Sequence, residues 1–470
     1  MEGFMAGLSR HQGISVIMPG TDLRYASLLE VVEQNKKVIR GMGFGGATGQ
    51  LVFIDAALGW KWVPAALAAL SLNVTVIPID SHRSPQQLAK LCAELTPELI
   101  IDENRVSHDG RMLETQAILS PKSRAELENI AFLLYTSGTT GNPKGVMLSS
   151  ENIWSNVHSI LSYFDLSPRD RMLIIRPFTH ASAITGELLP CLISGCSVYI
   201  KPSEVSPLHS LSLLNKYKIS VFCATPTVCS YIARVATNRS FPHLKKIVLS
   251  GEGLTARQLE LIRRTFPLAR IWNAYGLTEA SPRVSCNTDL SDMNDPLCVG
   301  TPLPDVSIKI VDSHSRDLPE GEQGEIWVHG PNVMSGYCKD PENTKNKIID
   351  GWLRTSDMGS FRNGKLYVHG RKDELMIRGG VNIYPQEIED MLLGCVGVKE
   401  AVVFAERDNG FSLKIHAWVV TDEGIQPSDI MTMLIKKRTD ARLWPDHIEI
   451  KTELEKNHTG KILRPFTYWT

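Results

Sequence analysis

Hydrophobic and polar positions along this chain follow two alternating rhythms. Apolar residues recur every three or four positions over 27–41, 62–70, 84–95, 150–164, 208–217, 226–236 and 255–266, which predicts helices with one face on a core. The stretch 183–192 also reads as helical, and Ser149 or Ser150 is placed to cap the helix that starts at 150. Between the helices stand short apolar runs at 50–54, 74–79, 99–101, 171–175, 196–200, 221–223, 246–249 and 271–275. Short unbroken runs of this kind suit strands buried on both faces, and their alternation with helices predicts an α/β fold with a mostly parallel sheet.

The rhythm changes after about 290. Short β segments at 306–311, 324–329 and 365–369 are separated by turn residues, which predicts a small β-barrel or antiparallel sheet. Farther on, a helix at 385–393, strands at 398–405 and 413–420 and a helix at 430–438 make up a small α+β unit. The expected division is therefore 1–370 and 374–470, with a polar joint at 371–373.

Composition adds exclusions. At 470 residues the chain is too long for one core. A hydrophobic content of 43%, a charged content of 21% and a net charge of -1 describe an ordinary globular chain with no call for nucleic acid or an acidic membrane as partner. The nine cysteines form no Cys-x-x-Cys pair and read as reduced thiols of a cytoplasmic protein. The start lacks the apolar core of a secretory leader. The most apolar stretch, 62–79, is interrupted by Pro64, Asn73 and Pro78, so it predicts a helix, a turn and a strand instead of a membrane span.

Candidate chemistry sits in five clusters. The first follows the apolar residues 131–134: Thr136-Ser137-Gly138-Thr139-Thr140-Gly141, then Lys144. Glycines allow a tight turn of inward N–H groups, hydroxyls add donors and the lysine adds charge, which together suit phosphate. It is not a Walker A loop. The second is Asn273-Ala274-Tyr275-Gly276-Leu277-Thr278-Glu279, where an aromatic ring can cover a flat base and a carboxylate can hold Mg²⁺. Ser281 and Arg283 follow it without an assigned role. The third and fourth, around Asp357 and Arg371, supply an acid and a base suited to sugar hydroxyls. The fifth places Lys461 on a glycine-containing loop. Taken singly, each also reads as a surface loop or a solvated ion pair.

Taken together and in this order, the clusters resemble the adenylate-forming superfamily, which includes acyl- and aryl-CoA ligases, non-ribosomal peptide adenylation domains and beetle luciferases. The motif character is closest to the acyl-CoA ligases. The resemblance spans about 25–465 and implies a large N-terminal domain of two α/β subdomains plus a small β-barrel, followed by a small mobile α+β domain. It implies activation of a carboxylic acid by ATP and Mg²⁺ to acyl-AMP and pyrophosphate. The acyl group then passes to the thiol of CoA or of a carrier protein's phosphopantetheine, or to an amine.

Roles follow from matching positions. Thr136 to Gly141 and Lys144 would hold the β- and γ-phosphates. Ser250-Gly251-Glu252-Gly253 and Asn273 to Gly276 would form the adenine slot. Thr278 would touch the α-phosphate and Glu279 the Mg²⁺. Asp357 and Arg371 would bind the ribose, Asp373 would be the hinge, and Gly379 and Gly380 would line the pantetheine tunnel. Lys461 would be the catalytic cation of adenylation. The acyl pocket would include Phe178, Thr179, His180 and Ala181, with His180 as a gate, together with Cys223, Ala224 and Thr225. No Asp lies between 176 and 186 to pair with an α-ammonium, so an acid without an α-amino group is expected, aryl or of short to medium chain. The expected protein is a monomer or homodimer without nucleic-acid partners.

Overall fold

Two sheets of largely parallel strands carry the first part of the chain. The computed structural model describes residues 2–17, 22–80, 85–113, 122–136, 143–201, 207–236, 239–288, 295–378, 381–408, 412–437, 439–456 and 462–465. The smaller sheet has six strands. Leu51–Asp55, Thr75–Ile79, Ile100–Ile101 and Ile130–Thr136 run parallel in it, and Lys144–Ser149 pairs antiparallel with the last of these. All five residues of Leu51–Asp55 and of Thr75–Ile79 are buried, as expected for strands covered on both faces.

The larger sheet has 14 strands. Its parallel half contains Ser197–Ile200, Arg171–Ile174, Val221–Ala224, Lys246–Ser250 and Arg270–Gly276. It turns antiparallel at Arg283–Asn287 and Cys298–Pro302. From there it runs through Lys365–Arg371, Trp352–Arg362, Gly324–His329 and Ser307–Val311. The β-rich region expected after 290 is thus hydrogen-bonded directly onto the parallel sheet.

The helix Ser150–Phe164 begins where expected, with Ser149 and Asn152 making a reciprocal capping box. The apolar stretch at 62–79 divides into the ten-residue helix Trp62–Ser71 and the strand Thr75–Ile79. Among the described residues, no helix is long and apolar enough to cross a membrane. All nine cysteines are free thiols, and only Cys92 is not buried. The helix expected at 183–192 is instead a π-helical run, Ser182–Leu188, followed by a short α-helix, Leu189–Ile193. Strands at Arg283–Asn287 and Trp352–Arg362 and the helix Pro341–Lys347 were not foreseen by hydrophobic pattern.

The C-terminal segment builds a separate three-stranded sheet from Val398–Asp408, Ser412–Thr421 and His447–Ile450. The helices Pro385–Leu393 and Pro427–Lys436 cover it. Its core, with Ile388, Val403, Ile415 and Leu434 at the centre, is an apolar cluster distinct from those of the two large sheets.

Candidate functional site

The strand Arg270–Gly276 ends at a cleft between the large sheets and the C-terminal segment. Its last residue is glycine for a steric reason. A Cβ on Gly276 would lie 1.9 Å from the carbonyl oxygen of Pro282, where the chain folds back on itself. The fold-back is closed by Leu277 N–H donating to that carbonyl at 2.9 Å.

Asp357 and Arg371, at first sight two residues near separate turns, are direct cross-strand partners on Trp352–Arg362 and Lys365–Arg371. Arg371 Nη1 donates to Asp357 Oδ1 at 3.1 Å and to the Thr355 carbonyl at 3.3 Å. The Tyr275 hydroxyl donates to Asp357 Oδ2 at 2.5 Å. Burial pushes the Asp357 carboxyl upward, and the Arg371 guanidinium, the Tyr275 hydroxyl and the Lys347 ammonium oppose that push. The result is a pre-formed polar floor whose carboxylate oxygens are both already held.

Lys347 is a cation that the sequence reading missed. It ends the helix Pro341–Lys347, and its Nζ donates to Thr355 O at 3.3 Å and Ser356 Oγ at 3.2 Å. Burial lowers its ammonium pKa, while the charges of Glu279 and Asp357 hold it up. In sequence it follows Lys345 and resembles a solvated helix end, so nothing marks it. Tyr337 was missed for a similar reason. Its hydroxyl donates to Glu279 Oε1 at 2.9 Å, and Lys144 Nζ lies 5.1 Å from its ring centroid. One ring therefore links the cation beside the phosphate-type loop to the expected metal carboxylate.

Glu279 fits Mg²⁺ carried by a nucleotide, because Mg²⁺ is usually held by one or two carboxylates plus phosphates and water. Among the described residues there is no group of three metal-ligating side chains. The turn at Ser250 is fixed from below, with Arg176 Nη1 donating to Ser250 Oγ at 3.1 Å and Nη2 to Ser250 O at 3.0 Å. Glu252 accepts from Thr227 N at 2.6 Å. The Asn273 amide is turned to the backbone, donating to Pro296 O and Cys298 O at 2.9 and 3.1 Å.

A cavity of about 710 Å³ opens here, with Gly251, Tyr275, Asp357 and Arg371 on one side and Gln386 and Ile462 on the other. The two sides are tied by polar contacts. Glu400 Oε1 accepts from Tyr231 OH at 2.6 Å and from Lys456 Nζ at 3.0 Å. Arg234 donates to Lys399 O at 2.9 Å, Arg257 to Leu393 O and Val398 O, and Gln386 to Leu254 O at 3.1 Å. Near the expected hinge, Asp373 accepts from Arg371 Nε at 3.3 Å and Lys372 donates to Glu325 at 2.8 Å.

The expected acyl residues have mixed surroundings. Phe178 is buried and stacks on Trp62 at 4.3 Å. Ala181, Cys223 and Ala224 are buried, and Thr179 and His180 are half-buried. Thr225 Oγ1 accepts from Val228 N at 3.3 Å and caps the helix Pro226–Val235. Ser137, Gly138, Thr139, Thr140, Gly141, Gly379, Gly380 and Lys461 lie outside the described residues. Thr136 and Lys144, which flank the first of these stretches, are cross-strand partners.

The chain is similar to known proteins along most of its length. The AMP-binding enzyme family model matches residues 9–338. The 2-succinylbenzoate–CoA ligase of Oceanobacillus iheyensis is 31% identical over 353 residues, covering 75% of this chain and 72% of that protein. The long-chain-fatty-acid–CoA ligase of Bacillus subtilis is 32% identical over 363 residues, covering 75% of this chain but 63% of that protein. Among solved structures, the O-succinylbenzoate coenzyme A synthetase of Bacillus subtilis in complex with ATP and magnesium ion superimposes with a TM-score of 0.82. It is 26% identical to this chain and covers 98% of each.

Proposed function

The chain belongs to the AMP-binding enzyme family, and on that premise we propose that it is an acid–thiol ligase. It activates a carboxylic acid with ATP, releasing pyrophosphate and forming acyl-AMP, and passes the acyl group to the thiol of CoA. The observation that carries this reading is the Tyr275–Asp357–Arg371 floor of the 710 Å³ cavity, with Glu279 and Lys144 joined through Tyr337.

Each side chain has a task in that scheme. Asp357, already oriented by Tyr275 and Arg371, accepts the ribose hydroxyls without having to reorganise. Tyr275 presents its ring to the adenine. Thr278 donates to the α-phosphate. Lys144 and the hydroxyls from Thr136 onward hold the leaving pyrophosphate. Glu279 holds Mg²⁺, which neutralises phosphate charge when bound. Lys461 supplies the cation beside the α-phosphorus, where attack by the acid builds negative charge. Asp373 is the pivot by which the segment 374–470 withdraws Lys461 and admits the thiol along Gly379 and Gly380.

The family does not name the acid, since the two relatives above are called ligases of a long-chain fatty acid and of 2-succinylbenzoate. A panel of carboxylic acids with ATP, read as pyrophosphate release with and without CoA, tests the reading. Acid-dependent pyrophosphate and a CoA thioester by mass spectrometry are expected. No acid-dependent release from any acid overturns the reading. Release without a thioester transfers the second step to a carrier-borne phosphopantetheine or an amine. Lys461→Ala is expected to lower acid-dependent pyrophosphate release by about 100-fold or more while sparing thioester formation from supplied acyl-AMP.

A further inference from the structure

Behind the cavity wall lies a group of buried charges that the scheme above leaves without a task. Glu187 is fully buried in the π-helical run Ser182–Leu188, and Arg176 is nine-tenths buried at the end of Arg171–Ile174. Arg176 Nη1 stands 3.4 Å from Glu187 Oε1, an ion pair without hydrogen-bond geometry. Among the described residues, neither Glu187 carboxylate oxygen nor Arg176 Nε has a hydrogen-bond partner. Arg283, on Arg283–Asn287, is the third member and is also buried. Its Nη1 donates to the Tyr163 hydroxyl at 2.9 Å. Its Nη2 reaches the π-helical run at Gly186, where a Cβ would come within 3.3 Å.

Two guanidiniums and one carboxylate leave an excess of positive charge away from water. That arrangement is expensive unless an anion or a set of acceptors completes it. Burial raises the Glu187 pKa to about 7, with Arg176 and Arg283 pulling it back, so the single counter-charge is itself only partly present at neutral pH. Tyr163 offers Arg283 a neutral oxygen, and the backbone around it is already satisfied by Asn156.

The cluster adjoins the expected acyl pocket on two sides. Glu187 lies in the π-helical run that begins directly after Ala181, and the Cys223 thiol feels the charges of Glu187, Arg176 and Arg283. Arg176 also holds Ser250, whose neighbours Gly251, Glu252 and Gly253 line the cavity. π-helical turns recur at functional sites because the extra residue redirects side chains. Here the redirected run carries the unmatched carboxyl.

We propose that Arg176, Arg283 and Glu187 form the far end of the acyl site and receive a second carboxylate of the substrate, making this protein selective for dicarboxylic acids. The inference rests on the ligase reading for the placing of the acyl site. The unpartnered Arg176 Nε and the Arg283 guanidinium supply N–H donors for a carboxylate, and Glu187 in its protonated form donates to the same group. A monocarboxylic acid of equal length brings no partner for these groups and leaves them as they stand.

Matched triplets test it: aliphatic and aryl diacids over a range of lengths, each with its monomethyl ester and the monoacid of the same length. Acid-dependent pyrophosphate release is measured at fixed ATP. The diacid is expected to lead its ester and its monoacid by about tenfold or more in kcat/KM at the preferred length. Arg283→Met, which keeps bulk and removes charge, is expected to abolish that lead without changing the KM for ATP. Arg283→Lys is expected to retain part of it. Binding of AMP, followed by thermal shift, confirms that each variant is folded. If Arg283→Met does not fold, Arg283→Lys carries the test by the same ratio. Equal rates across every triplet, or an undiminished lead in a folded charge variant, overturn the inference and leave the ligase reading intact. Failure of every acid to release pyrophosphate overturns the ligase reading itself.

Discussion

The two floors of this site are built on opposite terms. Under the proposed nucleotide side, Asp357 has both oxygens held, one by Tyr275 and one by Arg371, and Lys347 rests on Thr355 and Ser356. Under the proposed acyl side, Glu187 and Arg176 face each other with three polar atoms unmatched among the described residues. The first floor is complete before any ligand arrives. The second is complete only when something else joins it. A nucleotide is the same in every turnover, so a finished cradle costs nothing in versatility. The acid is what distinguishes one ligase from another, and specificity comes most strongly from buried polar groups that only the right substrate satisfies.

The comparison is broken most sharply by Asp357→Ala. Removing that carboxylate takes Asp357 from Arg371, which keeps Asp373, leaves the half-buried Lys347 without the Asp357 charge, and deletes the proposed ribose acceptor. ATP affinity is expected to fall by about 100-fold, near the upper range for a hydrogen bond to a charged group. Calorimetry with ATP and Mg²⁺ checks this, and a loss below threefold would show that the floor is not a nucleotide cradle. Lys347→Met is a milder cut, because Arg371 remains on Asp357. A loss of about three- to tenfold in ATP affinity is expected, with adenosine binding unchanged. An equal loss for adenosine would mean that Lys347 supports only the strand and not the phosphates.

The smallest effect sharpens the other floor. The Glu187 carboxyl is raised from 4.5 to about 7 by burial, so the fold keeps a proton that the unfolded chain has already released. A group raised in the folded state takes stability away as pH climbs through that window. Glu187→Gln has no such proton to lose. Its stability relative to the parent protein is therefore expected to improve steadily between pH 4.5 and 7 and to level off above. Urea unfolding at several pH values reads this directly. A variant that grows relatively weaker over the same range would show that Arg176 and Arg283 already satisfy the carboxylate, and the contrast between the floors would collapse.

How much of this is visible in the chain depends on which signal each element sends. The parallel strands announce themselves because both faces are apolar, as in Thr75–Ile79 and Val221–Ala224. The helix Ser150–Phe164 is legible to the residue because its cap and its period agree. The strand Trp352–Arg362 alternates buried and half-buried positions, but its inward residues include Thr355 and Asp357, so the hydrophobic period of two is hidden. The partnership of Asp357 with Arg371 is invisible for the same reason. Arg283–Asn287 is buried at every position yet carries Arg, Ser and Asn, a composition that reads as a loop. Arg283 therefore stood in the sequence as a residue without a role. Its partners Arg176 and Glu187 come from a strand end and a π-helical run, and only the fold brings them together. Motifs point to the residues proposed for the nucleotide, whereas nothing in the sequence joins Arg176, Glu187 and Arg283.

The seam between the large sheets and the C-terminal segment has a thermodynamic consequence. The segment's apolar core is its own, and the described contacts across the seam combine polar groups, with Glu400 shared between Tyr231 and Lys456, and the buried Tyr384 ring packed on His369 and Gly370. Parting such a seam exchanges protein hydrogen bonds for hydrogen bonds to water and uncovers the Tyr384 ring. In the proposed swing the Glu400–Lys456 ion pair moves as one, and what parts are hydrogen bonds between charged and neutral groups, so the change is expected to respond only weakly to salt.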